Sequence, residues 1–300
     1  MDITSLAIKI DVDTERGSRI GVPNLLNLLE RLDIPATFYL SLGPDNTGRA
    51  IKRIFRKGFL KKIFRTKVIN NYGIVTLLNG TLLPGPHIGE KHFRLLESIT
   101  AKGFEVGIHA YDHQKWQDGV SDLSKEELTT EFKQALIQFE KIFKIKPITA
   151  AAPGWQVNQN TLEIYEEANL IYASDCRGIY PFYPQLGKTK YKVLQIPTTM
   201  PTIDELLGRK EFPLEKLIDH YLSILKVGKL NVITIHAELE GMKYFNWFYS
   251  LLNAFKEQRI EFVSLEKIAS KGSYGYAELI QAEIDGRSGL VALQGPALLS

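Results

Sequence analysis

The chain has little cysteine, no long apolar run and one extended stretch without acidic residues, and each shortage removes a class of protein. A single cysteine, Cys176, in 300 residues excludes an intrachain disulfide, and with it the small secreted scaffolds that disulfides hold together. No run of about 18 apolar residues occurs, so no membrane-spanning helix is expected. The opening Met1-Asp2-Ile3-Thr4-Ser5 has an acid where a secretory leader carries positive charge. The expectation is a cytoplasmic protein, soluble or peripheral at a membrane.

Between Asn46 and Gly89 there is no Asp or Glu, yet nine basic residues fall there: Arg49, Lys52, Arg53, Arg56, Lys57, Lys61, Lys62, Arg65 and Lys67. With a net charge of +3 overall, the remainder of the chain stands at −6. The protein therefore reads as a mildly acidic body with one basic patch. Its 44% hydrophobic and 24% charged residues allow a sizeable core and exclude wholesale disorder.

Apolar periodicity predicts strands at Leu6–Asp11, Ala36–Leu42, Glu105–His109, Pro147–Ala152, Tyr172–Asp175, Val193–Ile196, Leu230–His236 and Glu261–Val263. Helical spacing occupies Gly21–Leu32, Glu90–Lys102, Lys125–Phe143, Thr161–Ala168, Leu214–Lys226 and Phe245–Lys256, with another helix from Leu265. Ser124 and Glu127 form a capping box ahead of the longest of these. Seven or eight strands alternating with helices predict an α/β fold, a (β/α) barrel rather than an open sheet. The segment Ala277–Ser300 breaks the alternation and reads as a hairpin or loose tail; no repeat or linker divides residues 1–300, so a single domain is expected.

Asp11 and Asp13 end the first strand, His109 and His113 follow the third, Ser174 and Asp175 close another, and His236 closes LNVITIH. In a (β/α) barrel the carboxyl ends of the strands form the active-site face, so these groups converge. Histidines four apart share one face of a helical turn, and with Asp13 they make a two-histidine, one-carboxylate set that leaves positions open for water and substrate. Zinc suits it first; manganese, cobalt or nickel also fit. Asp11 and Asp13 are two apart in an extended segment and point the same way, so one can bind the metal while the other serves as general base toward metal-bound water. The same Asp-x-Asp also reads as a strand-end turn, or as the metal grip of a nucleotide-sugar glycosyltransferase. His236 is the candidate general acid, with Asp175 to orient it. Ser174 and Cys176 lie in no recognisable nucleophile elbow.

Asp11-x-Asp13, His109-x3-His113, Pro153-Gly154-Trp155, Ser174-Asp175 and Ile235-His236 together resemble the polysaccharide deacetylase (NodB-like) family of metal-dependent carbohydrate esterases. The segments IDVDTERG (10–17), GVPNLL (21–26), GPDNTGR (43–49), VGIHAYDHQKWQ (106–117), SDCRG (174–178) and TIHAELEG (234–241) carry the likeness across most of the chain. It implies a distorted (β/α)7-type barrel of the NodB-homology kind. It makes Asp11 the base, Asp13, His109 and His113 the metal ligands, and His236 the acid.

Within the family the likeness is to the branch that deformylates undecaprenyl-phosphate-linked 4-deoxy-4-formamido-L-arabinose at the cytoplasmic face of the inner membrane. That step serves lipid A modification and polymyxin resistance. The family usually has an arginine before the proline of its third motif, steadying the base; here that stretch is Ala151-Ala152-Pro153. Arg177 or another cation is expected in its place, with backbone N–H groups near Gly154 and Trp155 as oxyanion donors. Rival functions are deacetylation of another N-acylated sugar or polysaccharide, glycosyl transfer, and non-catalytic lipid-sugar binding.

The basic stretch 49–67 divides at Gly58 into two amphipathic pieces, with Ile51, Ile54 and Phe55 on one apolar face and Phe59, Leu60, Ile63 and Phe64 on the other. Basic charge opposite an apolar face predicts an interfacial membrane contact. Nucleic-acid binding competes for such a patch, but the uncharged continuation GIVTLLNGTLLPG (73–85) favours lipid. Residues 44–88 are therefore expected to be an insert that docks on the inner membrane and admits a polyprenyl tail, with no nucleic-acid partner.

Overall fold

The structure, a computed structural model, describes residues 4–50 and 73–298. Its strands are β1 (Ser5–Val12), β2 (Thr37–Ser41), β3 (Glu105–Ala110), β4 (Thr149–Ala150), β5 (Tyr172–Ala173), β6 (Tyr183–Leu186), β7 (Thr189–Lys190), β8 (Leu194–Gln195), β9 (Leu230–His236), β10 (Glu261–Val263), β11 (Tyr276–Ala282) and β12 (Val291–Ala297). Eight form one parallel sheet, seven of them in the order β9-β1-β2-β3-β4-β5-β8 with the short β10 also paired to β1, and the sheet curls into an incomplete barrel. This bears out the distorted (β/α)7-type expectation.

β1 is the axis of the arrangement. β9 pairs along one of its edges from Ser5↔Leu230 to Asp11↔His236. β2 and β10 share the other, β2 opposite residues 9–12 and β10 opposite residues 5–7. Beyond β8 the N–H groups of Thr199 and Met200 donate to Val232 O, which draws the far end of the sheet against β9.

Strand alternation sorts the core into two clusters. Leu6, Ile8, Ile10 and Val12 face a large outer cluster with the helices, among them α1 (Val22–Leu32), α2 (Phe93–Ala101), α4 (Lys125–Phe143) and α7 (Phe245–Glu257), while α3 (His113–Gly119), α5 (Gln159–Glu167) and α6 (Leu217–Ser223) complete the shell. Ala7 instead joins a small cluster inside the barrel with Tyr39, Ala151, Tyr172, Ile196 and Val232. Lys9 and Asp11 share the face of Ala7 by alternation, so the barrel interior changes from apolar to charged along one strand.

The capping box on α4 forms as expected: Ser124 Oγ accepts from Glu127 N–H, and the Glu127 carboxylate accepts from Ser124 N–H. Other boundaries shift. The strands expected at 147–152, 172–175 and 193–196 shorten to two residues each because their flanks turn out of the sheet to make the site. Leu214–Lys226 opens with a 3-10 turn, Leu214–Lys216, and ends its α-helix at Ser223.

The segment after 276 is a hairpin. β11 and β12 pair antiparallel, and β6 and β7 extend them into a second, four-stranded sheet in the order β12-β11-β6-β7. The β6–β7 turn passes through Gly187, whose φ of 61° suits a residue without Cβ.

Candidate active site

All five proposed chemical side chains sit at the carboxyl end of the parallel strands or just beyond it. Asp11 is the penultimate residue of β1, Asp13 lies just past its end, His109 is near the end of β3 and His236 ends β9. His113 is not on a helical turn shared with His109. It is the first residue of α3, whose N-cap is Asp112. One Asp112 oxygen accepts from Gln114 and Lys115 N–H, and the other from Asn46 Nδ2 at 2.6 Å. The helix start therefore fixes where His113 points, and the loop 43–49 braces that start.

His109 Nδ1 lies 2.6 Å from Ala151 O, an acceptor only, so Nδ1 carries the proton. In the neutral ring Nε2 then presents a lone pair, 3.2 Å from Asp13 Oδ1. His113 Nε2 is 3.5 Å from the same oxygen. Asp13 Oδ1 is buried and accepts no well-formed hydrogen bond. Two imidazoles and a carboxylate oxygen, all within 4.8 Å of one another, form a donor set with nothing of opposite charge between them. That chemistry fits one divalent cation, and the Ala151 carbonyl orients its ligand as outer partners of metal-bound histidines commonly do.

The electrostatics agree. Burial opposes ionisation of Asp13, but His113 and His109 outweigh it and hold the carboxyl well below the usual range. Burial also works against charge on His109, and the Asp11 and Asp13 carboxylates push its pKa up despite it.

Asp11 is nearly buried; its Oδ1 has no hydrogen-bond partner, and its Oδ2 is 3.6 Å from Lys9 Nζ. Asp11 and His236 are register partners across β1 and β9, and Ala237 N–H donates to Asp11 O at 2.9 Å. The proposed base and acid thus stand on adjacent strands at one level. The Nδ1 of His236 is buried without a partner.

Two expected roles meet a different geometry. The Asp175 carboxylate accepts from Ala152 N–H at 2.6 Å and Gln195 Nε2 at 2.8 Å, and no hydrogen bond joins it to His236. It holds the third-motif loop, and burial raises its pKa to about 6. Arg177 does not reach Asp11. Its guanidinium donates to Glu205 Oε1 at 2.6 Å, Met200 O and Thr198 O, and it lies 5.2 Å over the Trp155 ring.

Gly154 and Trp155 both take positive φ, 61° and 55°, the second an uncommon and strained conformation for a bulky residue. Trp155 N–H already donates to Ala152 O at 3.1 Å. Arg287, from the turn between β11 and β12, lies 4.3 Å over the same Trp155 ring and donates to Glu205. Ser174 Oγ donates to Ile196 O, and burial pushes the Cys176 thiol well up, so neither is poised as a nucleophile.

Sequence reasoning missed Lys9, Glu238, Glu240 and Arg287. Glu238 Oε1 accepts from Asp13 N–H, Thr14 N–H and Thr14 Oγ1, at 3.1, 2.8 and 2.8 Å. Burial, with the charge of Asp13 adding to it, pushes its carboxyl well up. A side chain at Gly17 would collide with Glu238 Oε1, the ideal Cβ falling 1.9 Å from it. Two acids within four residues of His236, just past an apolar strand, were the available signal.

Glu240 accepts from His236 N–H at 3.0 Å, and burial raises its pKa to about 8. Because the unfolded chain ionises near 4.5 and the folded one near 8, folding stability falls between those pH values and levels off above them. Glu240→Gln keeps an acceptor for His236 N–H and removes the titration. It should match wild type near pH 4 and exceed it by a few kcal/mol at pH 9, read as melting temperature against pH.

Residues 8–173, more than half of the chain, match the family model for polysaccharide deacetylases, and the chain belongs to that family. Among curated proteins it is 39% identical over 296 residues to one from Shewanella sediminis (strain HAW-EB3), covering 98% of this chain and 95% of that one. That relative is described as a probable 4-deoxy-4-formamido-L-arabinose-phosphoundecaprenol deformylase ArnD. A protein of the same description from Wigglesworthia glossinidia brevipalpis is 35% identical, covering 93% of this chain and 98% of its own. Among solved structures, a probable polysaccharide deacetylase from Pseudomonas aeruginosa PAO1 superposes with a TM-score of 0.59 at 15% identity, over 88% of this chain and 89% of that one. This last likeness concerns the fold.

Proposed function

We propose that the chain is a metal-dependent amide hydrolase that removes the formyl group from undecaprenyl-phosphate-linked 4-deoxy-4-formamido-L-arabinose, in the service of lipid A modification and polymyxin resistance. The observation that carries the chemistry is the meeting of Asp13, His109 and His113 with Asp11 and His236 at one end of the barrel. The formyl substrate is supported by the descriptions of the two curated relatives.

In this reading Asp13, His109 and His113 hold a divalent cation, zinc first, with manganese, cobalt or nickel as alternatives. When bound, the cation supplies Lewis acidity for the formamide carbonyl and for water. Asp11 takes the proton from the attacking water. His236 delivers a proton to the departing sugar nitrogen, so the bond breaks to an amine rather than an amide anion. Because Trp155 N–H already donates to Ala152 O, the backbone N–H of Gly154 is the oxyanion donor in this reading. The two histidines set beside Asp13 weigh against a glycosyltransferase, which would need neither. Mass spectrometry of the lipid-linked formamido sugar, incubated with metal-loaded protein, tests the reaction. Loss of one CO equivalent supports it, and no change with any added divalent metal withdraws the substrate.

The expected membrane contacts Ile51, Ile54, Phe55, Phe59, Ile63 and Phe64 lie outside the described residues. The segment beginning at Gly73 supports docking at the inner membrane: Ile74 and Val75 are 67% exposed and Leu82 is 81% exposed, an apolar surface next in sequence to the nine cations. No helix among the described residues is long and apolar enough to cross a membrane, so the contact proposed is interfacial, at the cytoplasmic face. Paired Ile74→Asp and Leu82→Asp should weaken binding to anionic vesicles by about tenfold or more. The same pair should raise KM for the lipid-linked substrate. Unchanged vesicle sedimentation would remove this part of the reading.

A further inference from the structure

Lys9 is a lysine with no exposed surface, in the middle of the central strand of the barrel. Burying an ammonium is costly unless it is paired and hydrogen-bonded, so its neighbours explain why it is there. Nζ donates to Ser174 O at 2.9 Å, lies 3.6 Å from Asp11 Oδ2, and sits 5.5 and 5.7 Å from the ring centres of Tyr39 and Trp155. The carbonyl and the two aromatic faces fix the ammonium; the carboxylate is the group of opposite charge beside it. Strand alternation puts Lys9 one step below Asp11 on the same face, and Asp11 one step below Asp13.

Asp11 and Asp13 are thus neighbouring acids that both act on His109, but of the two only Asp13 lies within ion-pair distance of His109 and His113. Asp13 faces His109 and His113, whereas Asp11 has none of those contacts, and its Oδ1 is without a hydrogen-bond partner. We propose that Lys9 is the positioning residue for Asp11: a cation anchored on Ser174 O that holds the Asp11 carboxylate on the β1 side, turned away from the ligand set and toward the attacking water. It fills from within β1 the place left by Ala151 and Ala152 in the third motif. Arg177 does not fill that place, since its guanidinium is engaged with Glu205 and with the carbonyls of residues 198 and 200. The lysine acts through Asp11 and does not touch substrate.

The proposal rests on the amide-hydrolase reading, so the test begins with wild type and Asp11→Asn on the formamido substrate. Lys9→Met is compared with wild type, and Lys9→Met/Asp11→Asn with Asp11→Asn, as a double-mutant cycle. Lys9→Gln, which keeps a donor for Ser174 O without charge, serves if the methionine variant does not fold. Calorimetric titration with manganese or zinc is run on each protein.

In the wild-type background, loss of Lys9 should lower kcat by about 100-fold with little change in KM. In the Asp11→Asn background the same change should alter kcat less than about threefold. Metal affinity should be retained throughout, because no ligand atom has been altered. A merely structural lysine would instead lower metal affinity and both kinetic constants together, and equally in the two backgrounds. That pattern, or wild-type kcat in Lys9→Met and Lys9→Gln, overturns the inference while leaving the hydrolase reading in place. An inactive wild type overturns both.

Discussion

Asp11→Asn is expected to lower kcat by about 10²–10⁴-fold while leaving metal binding in place. The substitution is isosteric, so β1 and its pairing with β9 keep their packing, and none of the atoms proposed to hold the cation is altered. What disappears is a proton acceptor. The Oδ1 atom of Asp11 is buried without a hydrogen-bond partner, and an amide at that place cannot take a proton from water. KM should change little, because Asp11 makes no contact that a ground-state formamide requires. The check is steady-state kinetics on the lipid-linked sugar beside calorimetric metal titration. Activity within tenfold of wild type would reassign the base, and Glu238 would be the next acid to examine.

His109→Ala is expected to have the opposite signature, loss of metal first and of activity in consequence. Weakening an outer partner of a metal ligand already changes affinity by about 10–100-fold, and here a ligand itself is removed, so retention should fall by more than about 100-fold. The ring is buried and fixed at Nδ1 by Ala151 O, so its removal takes away a ligand already held in place. Excess metal should restore little turnover. Melting temperature measured with and without zinc separates the two effects: wild type should gain stability from metal, and the variant should gain almost none. Equal metal content in both proteins would remove His109 from the ligand set.

The distance in sequence between interacting residues decides which features are legible before folding and which are hidden. Strand β1, strand β9 and the capped helix α4 are written in local pattern, and their polar ends mark the site because an acid or histidine closing an apolar strand stands out. The grip of His113 is half legible: the spacing from His109 shows, but its position at N1 depends on Asp112 capping α3, which the H-x3-H pattern does not distinguish from a single helical turn. Asp175 looks in sequence like a partner for His236, yet it folds next to Ala152 and Gln195, a matter of barrel register. Lys9 is hidden in the opposite way. A charge in a strand ordinarily faces solvent, and only closure of the sheet encloses it. The hairpin after residue 276 forms its sheet with β6, nearly a hundred positions earlier, and no local periodicity announces that pairing.

The pairing of β1 with β9 also sets an order of events during synthesis. Asp11 and His236 stand side by side, but 225 positions separate them along the chain. The residues proposed to hold the cation lie between positions 13 and 113 and leave the ribosome long before the acid does. At a translation rate of about 5–20 residues per second, β1 waits several seconds or more for its second neighbour, with Lys9 and two carboxylates along its inner face. A nascent chain can thus acquire its ligand set before it can acquire turnover. The strand that emerges first is among the last to have both edges filled.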